Sequence, residues 1–208
     1  MIQAVLWDFG GVFTPSPFHA CRSYADALGI AHEVLLEVAF GPYHEDTDHP
    51  WHRLERGEGT LADALAHAVA DAQARGFAFD PGEFFGTMRD DGIDRTIVVD
   101  KVRELRQRGL RNAIVTNNAK EFADAWRAML PVDDLFDLVV DSSQVGMRKP
   151  NPAIYRHTLE LLGGVAPGRA VFLDDFEPNV AAARALGMHG IVVHDPAVAM
   201  AELDALIS

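Results

Sequence analysis

Four short stretches hold residues whose types and spacing could do chemistry together: VLWDFGGVF at 5–13, IVTNNA at 114–119, GMRKPNPAIY at 146–155 and VFLDDFEPNVAAARALGM at 171–188. The first sets a lone carboxylate, Asp8, at the end of an apolar run, with Gly10 and Gly11 behind it. A carboxylate so placed can serve as a nucleophile that divides one difficult hydrolysis into two easier steps. The adjacent Asp174 and Asp175 offer the hard oxygens that Mg²⁺ prefers, although a DD pair alone equally suits a solvated turn or a helix cap. Thr116, Asn117 and Asn118 bring a hydroxyl and backbone N–H groups to the start of a helix, where they can cap it and face an anion. Lys149 lies in RKPNP, where Pro150 and Pro152 fix the chain just before a helix and so hold a point charge in place. Asn179 falls on the first turn of the next helix, within reach of the aspartates as an orienting partner.

These groups need elements to position them. Apolar runs of strand length cover 2–7, 112–115, 138–140, 170–173 and 190–193, and helical patterns cover 96–108, 120–129, 151–162, 178–186 and 196–207. Their alternation predicts βαβ units and an α/β fold with a doubly wound, Rossmann-like parallel sheet. Ligands of such sheets bind at the carboxyl ends of the strands, near a topological switch point. Asp8, Thr116, Asp141, Asp174 and Asp175 all stand at or just after predicted strand ends, so one rim is expected to gather them. Residues 16–93 break the alternation and look helical throughout, up to the FDPGEFFGTMRD stretch at 79–90. The expected organisation is a core domain of 1–15 and 94–208 and an inserted all-helical cap domain of 16–93 lying over the strand ends. Within the cap, Phe18, Phe40, Trp51, Phe84 and Phe85 are expected to build mainly its own core, with one or two lining a substrate pocket. His44, His49 and His52 in GPYHEDTDHPWH match no established metal-ligand spacing and read as a solvated or substrate-facing loop.

Composition narrows the partners. The chain has 208 residues, 49% of them hydrophobic, and a formal net charge of −13. Binding to an extended phosphate backbone is driven by clustered Lys and Arg, so nucleic acid is not an expected partner. A small phosphorylated metabolite remains possible, because a metal, a lysine and helix N-termini build a local positive site inside an acidic protein. Cys21 is the only cysteine, which excludes an internal disulfide framework and a Cys-based zinc site. No apolar run approaches membrane-spanning length, and a cytoplasmic protein is expected. The pattern does not set an oligomeric state.

Taken in this order and on these elements, the four stretches resemble the haloacid dehalogenase (HAD) superfamily of hydrolases over nearly the whole chain. The resemblance implies an aspartyl-phosphate formed on Asp8 and Mg²⁺ held by Asp8, the Gly10 carbonyl and Asp175, with Asp174 supporting the ion directly or through water. It also implies that Thr116, Asn117 and Lys149 bind the phosphate. The sequence departs from the phosphatase pattern at one point. Members usually carry a second aspartate two residues after the nucleophile, as general acid and base; here that position is Gly10. The D-x-G-G-V form is similar to sugar-phosphate phosphatases and the phosphatase domain of soluble epoxide hydrolases. The first expectation is therefore a Mg²⁺-dependent phosphatase of small phosphate monoesters. The alternatives are a catalytically weak protein that binds Mg²⁺ and a phosphorylated ligand, and a hydrolytic 2-haloacid dehalogenase, whose leaving halide needs no proton.

Overall fold

The structure is a computed structural model that describes residues 1–88 and 91–208. Five strands, β1 (Ala4–Trp7), β2 (Arg111–Thr116), β3 (Leu138–Asp141), β4 (Ala170–Asp174) and β5 (His189–Val192), form one sheet of order β3-β2-β1-β4-β5. Every pairing is parallel. All four side chains of β1 are buried, as are all five of β4, which is why these segments read as unbroken apolar runs rather than alternating ones. The chain builds outward from β1 through β2 to β3, then crosses back to β4 and β5. The carboxyl ends of β1 and β4 thus flank the topological switch point.

Among the described residues twelve α-helices accompany the strands: α1 (Pro17–Leu28), α2 (His32–Phe40), α3 (Pro50–Glu55), α4 (Leu61–Ala74), α5 (Pro81–Gly86), α6 (Thr96–Gln107), α7 (Ala123–Arg127), α8 (Val132–Leu135), α9 (Ser142–Val145), α10 (Pro152–Leu161), α11 (Glu177–Ala185) and α12 (Pro196–Ile207). Trp7, Val102, Leu105 and Leu203 belong to one apolar cluster, and Leu6, Tyr155, Phe172 and Ala183 to another. Successive side chains of β1 alternate between the two, so the sheet separates two apolar layers. Its one buried amide, Asn112, accepts a hydrogen bond from Trp7 Nε1 at 3.1 Å, which satisfies a polar group that burial would otherwise penalise.

Helices α1–α5 carry a third cluster, in which Leu35, Phe40, Leu54, Ala68 and Phe84 are buried. Sequence signals start these helices. Ser16, Thr60 and Asp80 each accept a backbone N–H at the entry of α1, α4 and α5, and prolines follow directly in α1 and α5.

Three expectations shift. The single helix over 120–129 is a 3₁₀ turn (Lys120–Phe122) followed by the short α7, and Pro131 keeps the residue before it out of helical geometry. The strand at 190–193 begins and ends one residue earlier. Of the helical stretch at 79–90, α5 occupies Pro81–Gly86, and residues 89 and 90 lie outside those described. Among the described residues no helix is long and apolar enough to cross a membrane.

Candidate active site

Asp8 directly follows β1, and its backbone N–H bonds the Leu173 carbonyl of β4 at 2.8 Å, so the switch point itself fixes its position. Its side chain is held at a single oxygen. Oδ1 receives the Phe9 backbone N–H and lies 2.7 Å from Lys149 Nζ. Both contacts converge on Oδ1, which leaves Oδ2 as the oxygen turned to other partners.

Lys149 bridges two carboxylates, since Nζ also donates to Asp174 Oδ2 at 2.7 Å. Asp174 is wholly buried and engaged at both oxygens: Asn179 Nδ2 donates to Oδ2 at 3.0 Å, and the Phe176 N–H to Oδ1 at 2.8 Å. Asn179 thus touches Asp174 and not Asp175. Asp175 leans on Gly11. A Cβ on Gly11 would stand 2.1 Å from the Asp175 carboxyl carbon, and Gly11 has a φ of +74°. Only glycine meets both demands.

Asp8, Asp174 and Asp175 form the one group of three metal-ligating residues found among the described residues, with oxygens all within 4.8 Å of one another. Three carboxylates share one ammonium. Burial raises the Asp8 pKa well above the usual carboxylate range, and Asp174 adds to the rise while Lys149 opposes it. Burial and the neighbouring Asp174 likewise push Asp175 up to about 7. Burial by itself would lower the Lys149 pKa, but Asp174 and Asp8 outweigh it and the net direction is upward. The cluster thus holds more negative charge than its lysine offsets, on oxygens of the type that Mg²⁺ selects. The residues fit a divalent cation.

Thr116 is the last residue of β2, is 3% exposed, and pairs in register with Asp141. Asn117, expected to bring its backbone N–H to an anion, uses its side chain elsewhere. Its side chain clasps the backbone of Lys149, donating from Nδ2 to the carbonyl at 2.9 Å and accepting the N–H at Oδ1 at 2.8 Å. It positions the lysine instead of presenting its amide to an anion. Gly10 has room: a Cβ there would meet only Pro17 Cδ, at 3.6 Å.

One feature of the site was not foreseen from the sequence. Arg148, beside the expected lysine, is fully buried and donates from Nε to Glu55 Oε2 of α3 at 2.7 Å. Glu55 Oε1 receives Tyr43 Oη at 2.8 Å and Trp51 Nε1 at 2.9 Å, and the Arg148 guanidinium lies 4.8 Å from the centre of the Tyr43 ring. A buried cation in RKP demands a buried anion, and that demand was the available signal; its partner stands 93 residues earlier. His49 and His52 are structural as well. His49 Nδ1 accepts the Trp51 N–H at the start of α3, and His52 Nδ1 accepts the Thr47 N–H. His44 is exposed beside Glu45.

Two cavities adjoin the cluster. The larger, about 290 Å³, borders Asp175 and Gly11 and is lined by polar groups including Arg22, His32 and Arg95. The smaller, about 170 Å³, is lined mainly by aromatic side chains of the helical insertion and reaches Asn117. Phe18 and Phe176, stacked with ring centroids 4.6 Å apart, stand between them.

Comparison with known proteins gives a consistent picture. The profile of the haloacid dehalogenase-like hydrolases matches residues 2–187. The rat bifunctional epoxide hydrolase 2 is 40% identical over 217 residues, covering 98% of this chain and 38% of that protein. Mouse acyl-CoA dehydrogenase family member 10 is 29% identical, covering 99% of this chain and 19% of its own length, so the chain spans less than half of these two relatives. The sesquiterpene phosphatase astK of Aspergillus oryzae is 35% identical over 206 residues and is covered over 96% of its length. Among solved structures, a HAD family enzyme of Bacteroides thetaiotaomicron in complex with magnesium and inorganic phosphate superposes with a TM-score of 0.56 at 18% identity, covering 92% of this chain and 94% of that one. A HAD-like hydrolase from Porphyromonas gingivalis gives 0.62 at 24% identity, with 92% and 91% covered.

Proposed function

The chain belongs to the haloacid dehalogenase-like hydrolases, and on that footing we propose that it is a Mg²⁺-dependent phosphatase of small phosphate monoesters with Asp8 as nucleophile. The observation that carries this reading is the convergence of Asp8, Asp174, Asp175 and Lys149 at the switch point. A dehalogenase has no use for the surplus of carboxylates. Phosphoryl transfer does, because it needs positioning and charge neutralisation more than further covalent chemistry. The phosphatases among the relatives support the same direction.

Asp8, Asp175 and the Gly10 carbonyl would hold the ion, and Asp174 would steady it while anchored by Asn179 and Lys149. When bound, Mg²⁺ supplies positive charge that offsets the phosphate and the carboxylates. The remaining work falls to the chain. Oδ2 of Asp8 attacks phosphorus as the ester P–O bond breaks, and the leaving oxygen departs with the bonding pair and takes a proton from water, position 10 carrying no acid. Water then attacks phosphorus, the aspartyl P–O bond breaks, and Asp8 is restored with release of inorganic phosphate. Lys149 fixes Asp8 through Oδ1, and Asn117 fixes Lys149. Thr116 and the Asn117 N–H would meet the phosphate oxygens, while the Asn118 and Ala119 N–H groups are taken by Ser142 Oγ and Asn118 Oδ1.

Gly10 supports a second reading, that of a Mg²⁺-dependent phospholigand-binding protein with weak turnover, since general acid and base catalysis contributes typically 10²- to 10⁴-fold. One assay separates the two. Hydrolysis of an activated aryl phosphate is expected with Mg²⁺, and is lost on chelation and in Asp8→Asn. Tight Mg²⁺-dependent phosphate binding without turnover, across a broad ester panel, would favour the second reading.

A further inference from the structure

The smaller cavity lies beside Pro17 and Asn117, the residues that stand next to Gly10 and Lys149. Its walls include Phe18, Phe40, Tyr43, Trp51, Phe85 and Phe122, contributed by the helical insertion and by the 3₁₀ turn after β2. Several of these rings meet edge to face: Phe18 with Tyr43 at 5.4 Å and Phe40 with Trp51 at 4.9 Å between centroids. Pro17 joins the cavity to the catalytic cluster, because it lines the wall and is also the atom group nearest to a Cβ at Gly10. Asn117, which clasps the Lys149 backbone, lines it too. The other cavity opens instead on Asp175 and has the more polar lining of the two.

We propose that this aromatic cavity receives the alcohol portion of the substrate, and that this portion is apolar and about the size of one aromatic ring or a short branched hydrocarbon, not a sugar or polyol. The assignment rests on the phosphatase reading for the chemistry, but its own evidence is the lining. Four polar side chains stand on the wall; Asn118 accepts the Ala119 N–H at Oδ1, and the other three are fully committed. Tyr43 Oη donates to Glu55, Glu55 also accepts from Trp51 and Arg148, and both ends of the Asn117 amide serve Lys149. A hydroxyl-rich leaving group would lose its water there and find these partners occupied, which is unfavourable. Size points the same way: the volume of about 170 Å³ compares with about 150 Å³ for an engineered apolar cavity that takes up benzene. The glycine at position 10 fits this assignment, since an aspartate there would project a carboxylate beside Pro17 at the edge of an apolar space.

The test compares two non-hydrolysable probes on the full chain with Mg²⁺, benzylphosphonate and methylphosphonate, by calorimetry. Burying one ring should tighten binding by about ten- to hundredfold, and Ala119→Phe, which fills the cavity from a lining position, should abolish that preference. The same ordering is expected in kcat/KM, with benzyl and isopentenyl phosphates ahead of glycerol and glucose phosphates. Equal affinity for the two phosphonates, or a preference for the polyol esters, would overturn the assignment. The underlying reading fails separately, through absence of hydrolysis of acetyl phosphate, whose small leaving group needs no such cavity; the phosphonate comparison still decides the ligand class in that event.

Discussion

At the scale of single residues, the site is defined as much by two glycines as by its carboxylates. Gly11 is fixed by geometry, because Asp175 occupies the space where its Cβ would be. Gly10 is not: a side chain there has ordinary van der Waals clearance from Pro17. Introducing the missing acid is therefore a feasible experiment. Gly10→Asp is expected to raise kcat on esters with poor leaving groups by about ten-fold or more, within the range of general acid catalysis, and to change good leaving groups little. A series of aryl and alkyl phosphates of graded leaving-group pKa reads this out as a flatter dependence of rate on leaving group. An unchanged slope would mean that another group already transfers the proton. The placement of Asp8, Thr116, Asp174 and Asp175 at strand ends was legible from the apolar runs before them, whereas Lys149 was marked only by the resemblance of RKPNP to the family's motif. The clasp of Asn117 on Lys149 was not, because it depends on two loops meeting across 32 positions of the chain.

At the scale of elements, the parallel sheet explains why residues far apart in sequence share one rim. Its strands and their parallel arrangement were legible from apolar runs alternating with helical patterns, since burial on both faces leaves little freedom in composition; the order in which they pair was not. Contacts between the helical insertion and the rim were not legible, because periodicity shows which face of a helix is apolar and not what that face meets. The pair Arg148–Glu55 joins α3 to the loop bearing Lys149 and is buried at both ends. Removing one partner of such a pair strands the other charge. Glu55→Ala is expected to cost about 3–5 kcal/mol of stability, measured by denaturant unfolding. Glu55→Leu combined with Arg148→Met should cost distinctly less, because neither charge is then left buried alone. Equal losses in both variants would show that packing, not charge, dominates at this contact.

Viewed as a whole molecule, an acidic chain concentrates buried negative charge around one lysine while its insertion buries neutral histidines. Burial, followed by the Arg148 guanidinium, lowers the pKa of His52 to about 3, and burial together with His67 lowers that of His49 to about 4. In the unfolded chain both titrate near 6.5. The folded state thus binds fewer protons between these values, so the stability they confer is present above about pH 6.5 and is lost as pH falls toward 4. The raised pKa values of Asp8 and Asp175 act in the opposite sense over the same range, so the histidines are read by difference: from pH 7 to pH 5 the melting temperature of the unsubstituted chain should shift further downward than that of His52→Gln, and identical slopes would assign the acid sensitivity to other groups. The net charge excluded nucleic acid as an expected partner at the outset, but the aromatic cavity was invisible to composition, because it arises where the insertion meets the strand ends.

The proposed chemistry requires that Asp8 become phosphorylated during turnover in a Mg²⁺-dependent manner. Acid quenching during steady-state hydrolysis of an aryl phosphate, followed by borohydride reduction and peptide mass spectrometry, reads it directly, because an aspartyl-phosphate is reduced to homoserine. Homoserine is predicted at position 8 only when both substrate and Mg²⁺ are present. Turnover that proceeds at full rate with Asp8 unmodified, or that persists in Asp8→Asn, would contradict it.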